Sequence, residues 1–397
     1  MKIEIDSKKV FINSGNNKEE IHPFWLRERI NNEDALDKGN QQRLFDPNSI
    51  NTNIDIEKIE NEDGLLNLFF NDGTNYKIKE DQILNEYKSQ NLDPVSIDKI
   101  KWDSNFNNFQ KFKFENDIFE KKIMYDLLVS FYKYGFVVLT NVTTEDNFII
   151  KFANSIGSVR RTNFGEFFNV RSVPNPNDLA YTSLALSPHT DNPYRKPVPC
   201  VQLLHCITNN VSGGNSTLVD GYTVSEKIKE DYPEYYEILS SVKVKFKFID
   251  NTVVLEDMSE LIKLDEKNNF KQVRFSPRLD YAPILEKSKL DLFYKARNKI
   301  SELYNSDKYK VEFKLETGDL LMMDNHRLLH GRTKYDVNEG DRYLQGCYID
   351  FDSTEGKLRH LKRKFNLWTI LLFFLQRFLS TFHNLKPFDL LQLYRFF

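Results

Sequence analysis

The pattern of hydrophobic and polar residues predicts short strands in the first quarter of the chain. Lys2-Ile-Glu-Ile alternates polar and apolar side chains, and Leu65-Leu-Asn-Leu-Phe-Phe is mostly apolar; both patterns are typical of strands. Asn71-Asp-Gly marks a turn directly after the second run. The polar stretch from Tyr87 to Pro94 predicts a linker, so we expect a small β-rich N-terminal domain at residues 1–95.

Beyond this point the pattern predicts one early helix and then mostly strands. Apolar side chains recur at helical spacing between Phe119 and Tyr134, and Gly135 ends the pattern. Many short strands with few helices predict a mainly β fold with added helices, a barrel or jelly roll, at residues 96–362. The predicted strands are Phe136–Leu139, Val201–Leu204, Leu218–Val219, Val242–Phe248, Leu320–Met323 and Leu344–Ile349, and the predicted helices are Val224–Leu239, broken at Pro233, and Leu290–Tyr304.

The last segment, residues 363–397, differs in character from the rest of the chain. Lys362-Arg-Lys precedes Leu367-Trp-Thr-Ile-Leu-Leu-Phe-Phe-Leu, an apolar run that is shorter than the roughly 20 residues needed to span a bilayer. We expect an apolar helical tail that covers a groove on its own protein or on a second subunit. The alternative is a weak contact with a membrane surface through this basic-flanked segment.

Charge and cysteine content exclude several classes of protein. The formal charge is −3, from 55 basic and 58 acidic residues, which argues against a nucleic-acid-binding body. Hydrophobic residues make up 40% of the chain, enough for a sizeable core. Three scattered cysteines, Cys200, Cys206 and Cys347, form neither a disulfide framework nor a zinc motif. No basic region followed by an apolar run opens the chain, so we expect a cytoplasmic protein.

The strongest candidate chemistry is a pair of histidine motifs. His189 and Asp191 are two positions apart, so on an extended chain their side chains leave the same face. His330, in Asp324-Asn-His-Arg-Leu-Leu-His-Gly-Arg, could complete two imidazoles and one carboxylate, the facial triad of non-heme Fe(II) oxygenases. Without further support, the pattern also fits a turn-capping His189 and an ordinary core His330.

Residues near the second motif strengthen the oxygenase interpretation. Arg342 follows His330 by 12 positions, where a returning strand could bring its guanidinium near the metal. A fork of donors suits one end of a dicarboxylate such as 2-oxoglutarate. Ser216 or Thr217, after the Gly213-Gly turn, could add a hydroxyl. A surface salt bridge would otherwise be the default interpretation of Arg342.

These motifs together resemble the γ-butyrobetaine and trimethyllysine dioxygenase branch of the taurine-type dioxygenases. The resemblance runs in one collinear order from about residue 20 to residue 362. It includes His22-Pro-Phe-Trp-Leu-Arg-Glu-Arg, His189-Thr-Asp, Val201-Gln-Leu-Leu-His-Cys, Gly213-Gly-Asn-Ser-Thr-Leu-Val-Asp-Gly, Gly318-Asp-Leu, Asp324 to Arg332 and Arg342-Tyr-Leu-Gln-Gly-Cys-Tyr-Ile-Asp. It implies a double-stranded β-helix core, Fe(II), 2-oxoglutarate and O2, with ascorbate as a candidate reductant and a homodimer as the expected assembly.

The resemblance also implies the role of each site residue. His189, Asp191 and His330 would bind iron, and Arg342, helped by Ser216 or Thr217, would bind 2-oxoglutarate. An aromatic cage would hold a trimethylammonium group, which has no N–H to donate and is therefore bound by ring faces. The matching cage positions are Phe164, Phe168, Tyr181 and Tyr348. Ordinary aromatic core is the alternative interpretation of these four residues.

Two positions depart from the family pattern. No cysteine follows Trp25-Leu-Arg, where the family commonly binds zinc, so we predict no structural zinc. Asp178 stands where the butyrobetaine enzyme has an asparagine for the substrate carboxylate, and an aspartate could meet a substrate amine instead. Arg278 is a candidate counter-charge for a carboxylate or phosphonate.

The sequence therefore predicts hydroxylation of a small trimethylammonium compound, with γ-butyrobetaine converted to carnitine as the first choice. Trimethyllysine and a trimethylaminoalkyl phosphonate are alternative substrates within the class. A non-catalytic jelly-roll module with a vestigial metal site, and a Zn(II) hydrolase using the same three ligands, are alternatives from other classes.

Overall fold

The computed structural model describes residues 1–89, 95, 97–106, 108–115, 117–172 and 182–380, with the backbone alone at residues 89 and 366–380. The chain forms two compact units, Met1–Ser96 and Ile97–Phe397. None of the described helices combines the length and the apolar character needed to cross a membrane.

The first unit contains two three-stranded antiparallel sheets, β1–β2–β3 and β4–β5–β6. Leu66, Leu68 and Phe70 alternate with half-buried residues along β5 and lie in the core of this unit. The elements are β1 (Lys2–Asp6), β2 (Lys9–Ser14), β3 (Asn17–Glu20), α1 (Pro23–Arg27), β4 (Ile56–Glu62), β5 (Leu65–Phe70), β6 (Asn75–Lys79) and α2 (Glu80–Ser89).

The predicted linker begins too early, because Tyr87 lies inside α2. Glu80 and Asp81 in the first turn and Lys88 in the last turn complement the helix dipole, which explains why a polar segment is helical. Ile83 of this helix is fully buried in the core of the first unit. Residues 90–94 lie outside the described residues.

Arginines of the Trp25-Leu-Arg-Glu-Arg motif tie α1 to the rest of the first unit. The Arg29 guanidinium stacks 3.5 Å from the centre of the Trp25 ring, and its Nε donates to both carboxylate oxygens of Glu86 at 3.0 Å. Arg27 Nε donates to Asp72 Oδ2 at 2.8 Å. The predicted absence of structural zinc stays a prediction.

Two sheets form the centre of the second unit. One has six strands in the order β7–β8–β19–β11–β21–β9, and the other has four in the order β10–β20–β12–β18. All neighbours are antiparallel except β7 and β8. The strands are β7 (Lys111–Lys113), β8 (Phe136–Thr140), β9 (Phe167–Val170), β10 (Leu186–His189), β11 (Val201–Asn209), β12 (Ser216–Asp220), β13 (Lys243–Ile249), β14 (Val254–Glu260), β15 (Ile262–Leu264), β16 (Phe270–Val273), β17 (Asp280–Tyr281), β18 (Lys310–Phe313), β19 (Leu320–Asp324), β20 (Leu328–Arg332) and β21 (Arg342–Ile349).

The two sheets share one hydrophobic core, which makes the unit a β-sandwich of the predicted jelly-roll type. Leu321 and Leu344 from the six-stranded sheet lie in the same buried cluster as Leu218 and Leu328 from the four-stranded sheet. The mainly β fold with added helices predicted from the sequence is therefore confirmed for this part of the chain.

Helices cover the outer surfaces of the sandwich. Val219 and Leu329 point away from the inner core and pack with buried residues of three helices, among them Ile228, Leu239 and Phe293. The predicted break at Pro233 is confirmed, because a new helix begins there. The helices are α3 (Lys122–Tyr134), α4 (Phe148–Ile156), α5 (Gly221–Asp231), α6 (Pro233–Ser241), α7 (Lys287–Asn305) and α8 (Phe351–Ser380), with short 3-10 turns at Pro47–Ser49 and Ile118–Glu120.

The predicted tail boundary at residue 363 falls within α8. Leu358 and Leu361 of this helix are buried, and Lys357 Nζ and Lys364 Nζ reach the Glu120 carboxylate at 2.6 and 3.1 Å. Residues 381–397 lie outside the described residues.

A fully buried arginine joins the core strands to the surrounding loops. Arg327 Nε and Nη2 donate to the two carboxylate oxygens of Asp220 at 2.9 and 2.8 Å, and Nη1 donates to the Lys133 carbonyl at 3.0 Å. Asp220 also accepts from Tyr222 N at the start of α5. The charge pair therefore fixes the start of β20, the strand that contains His330, against the end of β12.

Arg327→Ala should lower the free energy of unfolding by about 3–5 kcal/mol, because it leaves the buried Asp220 carboxylate without its cation. Urea denaturation measures this. The control is Arg359→Ala, which breaks an exposed pair with Glu355 and should change stability by about 0.5 kcal/mol or less. Equal effects of the two variants would contradict the structural role of Arg327.

Candidate metal centre

Strand pairing brings two distant histidines side by side. β10 pairs with β20, and in this register His189 lies directly opposite His330. Directly opposed residues of antiparallel strands project from the same face. Their ring centres are accordingly 4.4 Å apart, although the two residues are far apart in sequence.

Asp191 completes the cluster, two residues beyond His189. Its Oδ1 lies 3.5 Å from His189 Nε2 and 3.7 Å from His330 Nε2. One candidate ligand atom from each residue lies within 4.8 Å of the others, and no second cluster of this kind occurs in the described parts of the chain. Two imidazole nitrogens and one carboxylate oxygen facing one point fit Fe(II) as a facial triad.

Hydrogen bonds orient the His189 side chain and the Asp191 backbone for metal binding. His189 Nδ1 lies 2.9 Å from the Ser187 carbonyl, which can only accept, so the proton sits on Nδ1 and the Nε2 lone pair is free. Asn325 clamps the backbone of Asp191: its Oδ1 accepts from Asp191 N at 2.8 Å and its Nδ2 donates to the Asp191 carbonyl at 3.0 Å.

The electrostatics of the cluster favour the protonation states that bind metal. Burial lowers the pKa of His330 to about 3, against the opposing effect of Asp191. Burial alone would raise the pKa of Asp191, but the His330 and His189 imidazoles and the Tyr348 hydroxyl outweigh it, and the pKa lies below its ordinary value. At neutral pH His330 is therefore neutral and Asp191 ionised, as metal ligation requires.

Arg342 provides a buried positive charge with an unused donor. Its Nε donates to the Gly214 carbonyl at 3.1 Å, and its guanidinium lies 5.5 Å from the centre of the Tyr335 ring. Among the described residues, Nη1 is buried and has no hydrogen-bond partner. Because an unpaired buried donor is costly, this nitrogen fits the carboxylate of a bound 2-oxoglutarate.

The backbone at Gly214 makes room for this arginine. Gly214 has φ +61°, a conformation that residues with side chains rarely adopt, and a Cβ there would lie 2.8 Å from Arg342 Cδ and Nε. The second glycine of the Gly213-Gly motif therefore leaves the space that the Arg342 side chain occupies.

Register decides between the two hydroxyl residues predicted near Arg342. On β12, Leu218 lies opposite His330 and Ser216 lies opposite Arg332, so Ser216 shares the face of His330. Thr217 lies opposite Gly331 and points to the other face. Of the two candidates, only Ser216 is on the side of the metal centre.

The structure describes three of the four predicted aromatic positions and brings two of them together. Phe168 and Tyr348 are neighbours, with ring centres 5.3 Å apart, and Phe168 occupies space left by Gly346, where a Cβ would lie 2.4 Å from Phe168 Cζ. Phe164 instead packs edge-to-face on Phe248 at 5.6 Å. Tyr181 lies outside the described residues.

The structure describes only one of the two charged residues predicted to meet the other end of the substrate. Asp178 lies outside the described residues. Arg278 is exposed, and its positive charge contributes, after the larger effect of burial, to lowering the pKa of His330.

Gln202 and Asn325 are site residues that sequence reasoning missed. Gln202 Nε2 donates to Asp191 Oδ2 at 2.7 Å, and Tyr348, predicted only as a cage ring, donates its hydroxyl to the same oxygen at 2.7 Å. A signal was available for Gln202, because it is a buried amide within the otherwise apolar start of β11.

Comparison with known proteins agrees with this geometry. Residues 108–348 match the taurine catabolism dioxygenase TauD, TfdA family, and the chain belongs to this family. Family membership and the donor set together identify Fe(II) and 2-oxoglutarate as the groups this site holds.

Comparison with individual proteins shows which members of this family the chain resembles. The chain is 33% identical over 229 residues to gamma-butyrobetaine dioxygenase of Pseudomonas sp. (strain AK-1), covering 58% of this chain and 60% of the relative. It is 34% identical over 247 residues to the human enzyme of that name, covering 60% and 63%. It is 27% identical over 352 residues to mitochondrial trimethyllysine dioxygenase of Bos taurus, covering 85% and 82%. The matches to the gamma-butyrobetaine dioxygenases thus span about three-fifths of those proteins.

His189→Ala should abolish high-affinity binding of Fe(II) or Mn(II), because it removes a ligand. The loss should exceed the roughly 10–100-fold that is typical when only a residue supporting a ligand is changed. Calorimetric titration under anaerobic conditions measures it. His205→Leu is the control, since His205 is also fully buried but lies outside the cluster. Metal affinity retained in His189→Ala would refute the assignment.

Proposed function

We propose that this protein is an Fe(II)- and 2-oxoglutarate-dependent dioxygenase that hydroxylates a small trimethylammonium compound, with γ-butyrobetaine as the first candidate. The observation that carries the proposal is the convergence of His189, Asp191 and His330 on one point, within a chain of the TauD, TfdA family. When bound, Fe(II) with 2-oxoglutarate and O2 supplies the oxidising power to hydroxylate a C–H bond, with release of succinate and CO2.

The protein's own contribution is binding and orientation. His189, Asp191 and His330 would hold the metal from one side and would leave its remaining positions to the co-substrates. Arg342 would hold the far carboxylate of 2-oxoglutarate through its unused Nη1. Ser216, on the same side as His330, is the candidate to assist it.

The adjacent rings of Phe168 and Tyr348 support a trimethylammonium substrate. The two rings lie in contact, and the Tyr348 hydroxyl donates a hydrogen bond to the Asp191 carboxylate. A cation held by this pair of rings would therefore lie beside the metal centre, with its neighbouring C–H bonds within reach. Tyr181 would complete the cage, and Phe164 would lie at its edge, against Phe248.

Trimethyllysine is the second candidate substrate. The match to trimethyllysine dioxygenase covers 85% of this chain, more than the matches to the gamma-butyrobetaine dioxygenases. Asp178 also favours a substrate that carries an amine over one that ends in a carboxylate alone. A trimethylaminoalkyl phosphonate, with Arg278 as counter-charge, is the third candidate.

The predicted organisation remains part of the proposal. We infer an N-terminal domain at residues 1–95, a catalytic domain at 96–362 and a tail at 363–397. A homodimer, a cytoplasmic location, use of ascorbate and a weak contact of the tail with membranes stay predictions from the sequence.

Turnover tests the reaction and the substrate together. The protein is loaded anaerobically with Fe(II), 2-oxoglutarate and O2 are added, and succinate is followed by NMR with γ-butyrobetaine, trimethyllysine or 2-trimethylaminoethylphosphonate. Succinate stimulated by one of these compounds is the expected result. Succinate without stimulation would refute the trimethylammonium substrate. The absence of succinate with iron-loaded protein would favour a vestigial metal site. Hydrolytic activity with Zn(II) alone would favour the hydrolase alternative.

Phe168→Leu should weaken binding of the trimethylammonium substrate about 2–30-fold, because the leucine keeps apolar volume but lacks a ring face for the cation. The Michaelis constant measures this. The matched control is the neutral analogue in which carbon replaces the ammonium nitrogen: its binding should change little. Equal losses for the charged and neutral compounds would contradict a cation–π role.

A further inference from the structure

Two buried donors from neighbouring strands occupy the second oxygen of the Asp191 carboxylate. Gln202 on β11 lies directly opposite Tyr348 on β21, so both side chains project from the same face of the six-stranded sheet. Gln202 Nε2 and the Tyr348 hydroxyl each lie 2.7 Å from Oδ2. The two donor residues are themselves buried, at 1% and 4% exposed.

The other oxygen of the same carboxylate, Oδ1, faces the two histidines. Oδ1 lies 3.5 and 3.7 Å from the imidazole nitrogens that would bind metal, whereas both protein donors are on Oδ2. Asn325 fixes the backbone of Asp191 through its N–H and its carbonyl, and the two hydrogen bonds on Oδ2 oppose rotation of the carboxylate about its Cβ–Cγ bond.

We propose that Tyr348 and Gln202 are positioning residues that reserve Oδ1 of Asp191 for the metal and keep Oδ2 off it. This inference rests on the proposed function of the site. A carboxylate can bind a metal through one oxygen or through two, and the second oxygen would occupy a position that the co-substrates need. The two hydrogen bonds therefore maintain the number of open positions on the metal.

In this proposal the hydroxyl and the ring of Tyr348 have different functions. The ring packs against Phe168, as a cage residue would, while the hydroxyl donates to Asp191. Tyr348→Phe keeps the ring and removes the hydrogen bond, so the two roles can be tested independently. Gln202→Met removes the other donor at nearly constant side-chain length.

The test counts the water molecules on Mn(II) bound to the full-length protein, through the relaxation rate of water protons. Three open positions hold about three waters in the wild type. If Oδ2 binds the metal in Tyr348→Phe or Gln202→Met, the inner-sphere relaxation at full Mn(II) occupancy should fall by about one third, and the double variant should show at least this loss.

Tyr343→Phe is the matched control. Tyr343 lies on the same strand but on its other face, and its hydroxyl contacts Asn169 Oδ1 at 2.9 Å and Gln345 Nε2 at 2.8 Å. Its relaxation should equal that of the wild type. Wild-type relaxation in both Tyr348→Phe and Gln202→Met would overturn the positioning role, even if their metal affinity fell. Failure of the wild-type protein to bind Mn(II) would instead refute the metal centre itself.

Discussion

The carboxylate of Asp191 is the group on which the whole candidate site depends. Burying an ionised carboxylate costs several kcal/mol unless its surroundings compensate for the lost water. Here Gln202 from β11 and Tyr348 from β21 donate hydrogen bonds to Oδ2, while His189 from β10 and His330 from β20 face Oδ1. These strands belong to both sheets of the sandwich, so the site exists only when the two sheets pack together. The fold and the metal centre are thus linked through one partly buried carboxylate.

Arg327 and Arg342, two buried arginines of the second unit, differ in how far their guanidinium donors are satisfied. Arg327 is matched by both oxygens of Asp220 and by backbone carbonyls, so it has little left to offer a ligand. Arg342 has a backbone carbonyl and an aromatic ring as neighbours, and one of its terminal nitrogens has no partner among the described residues. An anion could accept a hydrogen bond from this nitrogen and balance the charge of Arg342. The proposed function supplies that anion as the far carboxylate of 2-oxoglutarate.

Much of the fold and the metal ligands could be predicted from the sequence, because these features leave local signals. The His189-Thr-Asp spacing, the helix stop at Gly135 and the break at Pro233 depend on neighbouring residues alone. The remaining details depend on register. Whether Ser216 or Thr217 faces His330 is decided by the pairing of β12 with β20, and the meeting of Gln202 with Tyr348 by the pairing of β11 with β21. The helix at Glu80–Ser89 was missed because its polar composition resembles a linker, while packing of Ile83 in the core stabilises it.

The most direct test of this account is the binding of 2-oxoglutarate by calorimetry without O2, with and without Fe(II). If Arg342 holds one end of the ligand and the metal holds the other, removal of Fe(II) should weaken binding more than tenfold. Arg342→Met should weaken the Fe(II)-dependent binding while leaving the affinity for Fe(II) itself unchanged. Equal affinity with and without Fe(II), or wild-type affinity in Arg342→Met, would contradict a ligand that bridges the His–Asp–His cluster and the buried arginine.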